Sequence, residues 1–116
     1  MRGLIASFGY ALSGLGAMLL RERNGRIHLA VALAAVIAGL GFGVAREDWL
    51  WIVAAIALVW IAEAVNTALE TLCDTLHPDR AEGIGRTKDL AAGAVLVAAL
   101  AAVLIGALVF WPYVFG

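Results

Sequence analysis

Residues 49–74 read WLWIVAAIALVWIAEAVNTALETLCD. Positions 49–62 are apolar; polar groups then enter at Glu63, Asn66, Glu70 and Asp74, at intervals of 3, 4 and 4. A helix returns to the same face every 3 to 4 residues, so these four side chains stack on one stripe. The run is long and apolar enough for a membrane span, which takes about 20 residues of helix. An ionisable group at membrane depth is expensive and faces protein or a wet cavity rather than lipid. The column therefore marks a polar site at the end of a transmembrane bundle.

Composition agrees. Of 116 residues, 64% are hydrophobic, with a mean hydropathy of +0.97; a soluble domain is about 45–50% apolar. The excess lies in three runs, 27–44, 49–71 and 90–115. Strand-like alternation is absent, which argues against a β-barrel. The expected fold is a single all-α integral membrane domain. A net charge of −1 offers no basic excess for nucleic acid. Cys73 has no partner cysteine in the chain and reads as an apolar filler.

Cationic residues give the orientation. Arg2, Arg21, Arg23 and Arg26 precede the first run, Arg46 alone lies in the first connection, and Arg80, Arg86 and Lys88 lie in the second. The positive-inside rule places the N-terminus and second connection in the cytoplasm. The polar end of span two and the starts of spans one and three then share the cytosolic side, where ATP and Mg²⁺ are available.

Residues 4–20 are of another kind. Leu4, Phe8, Leu12, Leu15 and Leu19 repeat at helical spacing opposite Ser7, Ser13 and several glycines. This predicts an amphipathic helix lying in the membrane interface, or a short fourth apolar helix packed on the bundle. Its glycines and the charged cluster after it are unlike a cleaved signal peptide, so it is expected to be retained. The cluster at 21–26 turns the chain into span one, with Gly25 as a flexible point. Gly39 and Gly43 form a GxxxG, read either as close helix packing or as chance in a Gly-rich chain. Trp49, Trp51, Trp111 and Tyr113 match an aromatic belt at the outer interface. Pro78 ends span two, and 79–88 reads as the one long polar connection.

The candidate chemistry follows from depth. Glu63 to Asp74 is 11 residues, about 16 Å of helix. Asp74 and Glu70 thus belong near the headgroups and Glu63 inside the hydrocarbon boundary. Glu63 is placed as a general base toward a hydroxyl held at the interface. Glu70, with Glu22 ahead of span one, can hold Mg²⁺, which commonly takes one or two carboxylates plus substrate phosphates. Lys88 and Asp89 open span three, and a helix N-terminus beside a lysine suits phosphate. Together these are the parts for phosphoryl transfer.

Structural readings stand beside these. Asn66 serves equally as a helix–helix hydrogen bond, Glu22 as a counter-charge in a basic anchor, Lys88 as a boundary cation, and Asp74 as a solvated charge. A small transporter or channel subunit, with the carboxylates as an ion path, is the rival function. It calls for polar groups through the whole membrane depth, and span two is apolar from 49 to 62. The segment GIGRTK at 83–88 is neither a Walker A loop nor a dinucleotide fingerprint. No His/Cys cluster suits zinc or haem.

The pattern Glu63-x-x-Asn66-Thr67-Ala68-x-Glu70-x-x-x-Asp74, followed by Lys88-Asp89, resembles the prokaryotic diacylglycerol kinase family. The resemblance extends to Tyr10-Ala11-Leu12-x-Gly14-Leu15 and to Arg21-Glu22-Arg23-Asn24-x-Arg26-Ile27-His28, the latter closer to its undecaprenol kinase branch. It implies a surface helix plus three transmembrane helices in a homotrimer with shared active sites, transferring the ATP γ-phosphate to a lipid hydroxyl with Mg²⁺. By position it implies Glu63 as catalytic base at the lipid, with Asn66 beside it. Glu22 and Glu70 become metal ligands. Tyr10, Glu22, Glu70, Asp74, Lys88 and Asp89 become nucleotide contacts. Asp79-Arg80-Ala81 departs from the aromatic and imidazole-bearing stretch common there, which leaves open how strictly ATP is preferred over GTP.

Overall fold

The computed structural model describes residues 3–79 and 81–116; Arg2 and Arg80, which entered the charge asymmetry, lie outside the described residues. Four helices follow in order: α1 (Leu4–Arg21), α2 (Arg23–Phe42), α3 (Arg46–Leu76) and α4 (Glu82–Phe115). By length and composition each is capable of crossing a membrane. The chain is an all-α membrane protein. α1, read as a surface helix, also meets the length and hydropathy of a span.

The burial pattern explains why this sequence needs lipid. Glu63 is 2% exposed and Asn66 7%, while the least exposed apolar residue, Ile52, is 3% exposed. Large apolar side chains point outward instead, among them Ile5, Leu20, Leu90, Leu100 and Val103. In water such a surface would drive aggregation; in a bilayer it is solvated. The interior is free to hold the polar groups that lipid excludes.

α3 and α4 form the antiparallel backbone of the fold. With 31 and 34 residues they run about 46 and 51 Å. Both exceed a hydrocarbon core of about 30 Å, so part of each projects beyond it. Their polar segments, 63–76 on α3 and 82–89 on α4, meet at the same end. At the opposite end Tyr113 donates to Asp48 Oδ2 and accepts the Ala45 N–H at 3.0 Å. This ties the tail of α4 to the first turn of α3, among the aromatic residues expected at the outer interface.

Three joints differ from the sequence reading. The turn from α1 into α2 is made by Glu22 alone, in extended conformation, acting as C-cap of one helix and N-cap of the next. Gly25 is not the flexible point: it lies within α2, where a Cβ would stand 2.8 Å from the Met18 carbonyl oxygen. Its bare backbone lets the two helices close on each other. Gly39 and Gly43 do not act as a helix-packing pair. Gly43 adopts φ 62 and terminates α2, with Val44 N–H on Gly39 O and Gly43 N–H on Leu40 O, a Schellman stop. Gly39 lies under the Trp49 ring, where a Cβ would come within 2.6 Å.

The second connection is also shorter than expected. α3 ends at Leu76 with His77 as its cap, and α4 begins at Glu82. The stretch 82–88, read as loop, is two turns of helix. Gly85 N–H bonds Ala81 O and Thr87 Oγ1 donates to Gly83 O, satisfying backbone groups that glycine alone would leave wet. Lys88 and Asp89 therefore lie about two turns into α4, and their proposed phosphate role cannot draw on the helix N-terminus.

Candidate active site

The column on α3 is as its spacing requires. Glu63 and Asn66 are buried, Glu70 is half-buried and Asp74 is exposed, a gradient from interior to water along one stripe. Asn66 Nδ2 donates to Glu70 Oε1 at 3.2 Å. This bond orients Glu70 and leaves Asn66 Oδ1 buried without a partner. Glu63 Oε2 is likewise buried with no hydrogen bond. Its nearest ionisable neighbour is His28 on α2, Nε2 at 3.5 Å. Orphaned polar atoms are costly and uncommon inside proteins, and their concentration on this column marks it as more than a packing seam.

An apolar cavity of about 360 Å³ lies between α2, α3 and α4; Glu63 does not line it, but His28, which does, approaches Glu63. Val31, Ile52, Ala55, Val59, Gly106 and Phe110 are among its walls, and His28 and Trp60 supply its polar edge. Trp60 Nε1 is a third buried atom without a partner. The walls toward the outer end carry no ionisable side chain.

Tyr10 and Glu22 occupy a second groove, about 960 Å³, between α1 and α3. Thr67, Thr71 and Thr75 line its α3 side at four-residue spacing. Asp74, Lys88 and Asp89 line a third cleft of about 230 Å³ at the α3–α4 turn, with His77 and Asp79. There Lys88 and Asp74 form an ion pair between α4 and the end of α3. Tyr10 and Glu22 thus share one groove and Asp74, Lys88 and Asp89 another cleft, while Glu63, Asn66 and Glu70 lie on the α3 column between buried and half-buried positions and line neither.

Among the described residues, no group of three or more His, Cys, Asp or Glu side chains converges as a metal cage. That is no obstacle to Mg²⁺, which is commonly completed by substrate phosphates and water. Glu22 and Glu70 offer the hard oxygen donors such an ion takes, and the hydrogen bond from Asn66 engages only Glu70 Oε1.

His28 is the residue that sequence reasoning overlooked as a site member. It lies in an apolar run with nothing at helical spacing to flag it, and only the crossing of α2 over α3 brings it to Glu63. Its place in the Arg-Ile-His segment was the one available signal.

Comparison with known proteins bears on the chemistry. The family model for prokaryotic diacylglycerol kinase matches residues 9–110. A diacylglycerol kinase of Synechocystis is 36% identical over 110 residues, 94% of this chain; the chain spans 63% of that protein's length. An undecaprenol kinase of Bacillus subtilis is 34% identical over 106 residues, covering 91% of this chain and 86% of that one. A diacylglycerol kinase of Escherichia coli is 29% identical over 110 residues, 95% of this chain and 90% of that protein. The chain belongs to the prokaryotic diacylglycerol kinase family, a family of lipid kinases.

Proposed function

We propose that this chain transfers the γ-phosphate of ATP to the hydroxyl of a membrane lipid, with Glu63 as general base. The observation that carries this is the Glu63 carboxylate. It is buried to 2% exposure with Oε2 unpartnered, and His28, 3.5 Å away, lines an apolar cavity, in a chain of this family. A lipid whose tail enters the apolar space brings its hydroxyl to the polar edge. Glu63 takes the hydroxyl proton, the lipid oxygen bonds to the γ-phosphorus, and the bond to ADP breaks. A base held in place within reach of its proton contributes about 10²–10⁴-fold.

The remaining residues manage charge. Asn66 holds Glu70, and Glu70 with Glu22 would hold Mg²⁺. When bound with nucleotide, Mg²⁺ supplies neutralisation of phosphate charge. Lys88, with Asp74 and Asp89 beside it, serves the phosphates, and Tyr10 on α1 the nucleotide. The cytosolic side is the one that holds the N-terminus and the α3–α4 turn, in keeping with the Lys/Arg distribution. The exposed apolar faces of one chain suit a homotrimer in which α1 lies at the interface and three helices cross. The apolar walls beyond Glu63 favour a catalytic pocket over a continuous ion path.

Either diacylglycerol or a polyprenol presents a hydroxyl on an apolar body. Phosphate transfer from labelled ATP in mixed micelles, with diacylglycerol and undecaprenol offered separately, chooses between them. Label in one lipid supports the kinase reading and names its branch. No label in either, from assembled protein, overturns it.

A further inference from the structure

We infer that His28 is the positioning residue for Glu63: it aims a ring N–H at the base's free oxygen and fixes the orientation of the carboxylate. This rests on the reading of Glu63 as base and adds to it a residue from another helix.

The geometry carries the inference. Glu63 Oε2 has no hydrogen-bond partner, and His28 Nε2 lies 3.5 Å from it. That is longer than a hydrogen bond and within the range over which catalytic bonds tighten when substrate arrives. The two side chains are 18% and 3% exposed, so water competes little for either. His28 also lines the apolar cavity, where an imidazole is costly unless its nitrogens are used. A leucine would fill that wall at lower cost. Trp60, the other polar group on this wall, has a buried ring N–H with no partner, so His28 is the group that approaches Glu63. A carboxylate with free rotation about its last torsion presents its lone pairs in many directions. One donor on one oxygen removes that freedom and turns the other oxygen to the incoming hydroxyl.

The test is a series at position 28 in full-length, detergent-assembled protein. The amide nitrogen of His28→Gln reaches roughly where Nε2 stands; His28→Leu keeps the wall apolar and removes the donor; His28→Asn keeps a donor and shortens its reach. The expected result is near-wild-type kcat for Gln, and kcat lowered between about tenfold and about 100-fold for Leu and Asn, with the KM for ATP unchanged. A residue that merely fills the wall gives the reverse order, Leu tolerated and Gln not. That order, equal activity in all three, or equal loss in all three assembled variants overturns the inference. If Leu does not assemble, Gln against Asn decides it. Glu63→Gln run alongside separates the two levels. If it is inactive while His28→Leu is normal, only the positioning role fails. If it is active, the reading of Glu63 as base fails as well.

Discussion

Asn66 Nδ2 donates to Glu70 Oε1 at 3.2 Å, so a buried amide on α3 sets the orientation of the carboxylate one turn closer to water. Asn66→Leu removes the donor and keeps the branched outline of the side chain. It should raise the Mg²⁺ concentration for half-maximal rate, as should Glu70→Gln. A Mg²⁺ titration at saturating ATP and lipid measures it. The double variant should be little worse than Glu70→Gln, since both act through one group.

Lys88 and Asp74 are ion-paired across the α3–α4 turn. Asp74 is exposed and Lys88 half-buried, and exposed pairs contribute little stability. Lys88→Met should therefore leave the thermal unfolding midpoint unchanged while raising the KM for ATP. An unchanged KM with a lowered midpoint would make the pair structural.

Gly25 allows α1 to approach α2 against the Met18 backbone. Gly25→Ala places a methyl where a carbonyl oxygen cannot yield, and α1 must swing away. Because Tyr10 and Glu22 line the groove between α1 and α3, nucleotide affinity should fall together with stability. Equilibrium binding of an ATP analogue and a thermal melt are the paired measurements.

Gly39 lies under Trp49 at the far end of the bundle from the site. Gly39→Ala should destabilise by about 1–3 kcal/mol, the usual cost of overpacking, with kcat in surviving protein unchanged. In a Trp49→Leu background the cost should largely disappear, and the double-mutant cycle reads the coupling.

These residues show what the sequence alone could carry. The column at 63, 66, 70 and 74 was readable because helical spacing and membrane depth are both local properties. The proposed kinase roles were argued from it. What local pattern could not supply was the crossing of helices. His28 lies in an apolar run and acquires meaning only from the side chain of α3 opposite it. Gly25 and Gly39 read as flexibility and as a packing motif, while their positions answer to Met18 and Trp49 on neighbouring helices. The stretch 82–88 was read as connection because it is polar and follows Pro78, which ends span two. The bonds Gly85 N–H to Ala81 O and Thr87 Oγ1 to Gly83 O close it as helix against that propensity. α1 was ambiguous from the start, since its polar face is weak, and its length and hydropathy suit a span as well as a surface helix.

The central claim is that Glu63 removes the lipid hydroxyl proton. Transfer of label from γ-labelled ATP to lipid by Glu63→Gln, in protein shown to assemble and to bind nucleotide normally, tests it most directly. The account predicts a fall of at least about 10²-fold in kcat with nucleotide affinity retained. Activity near that of the unaltered chain would contradict it.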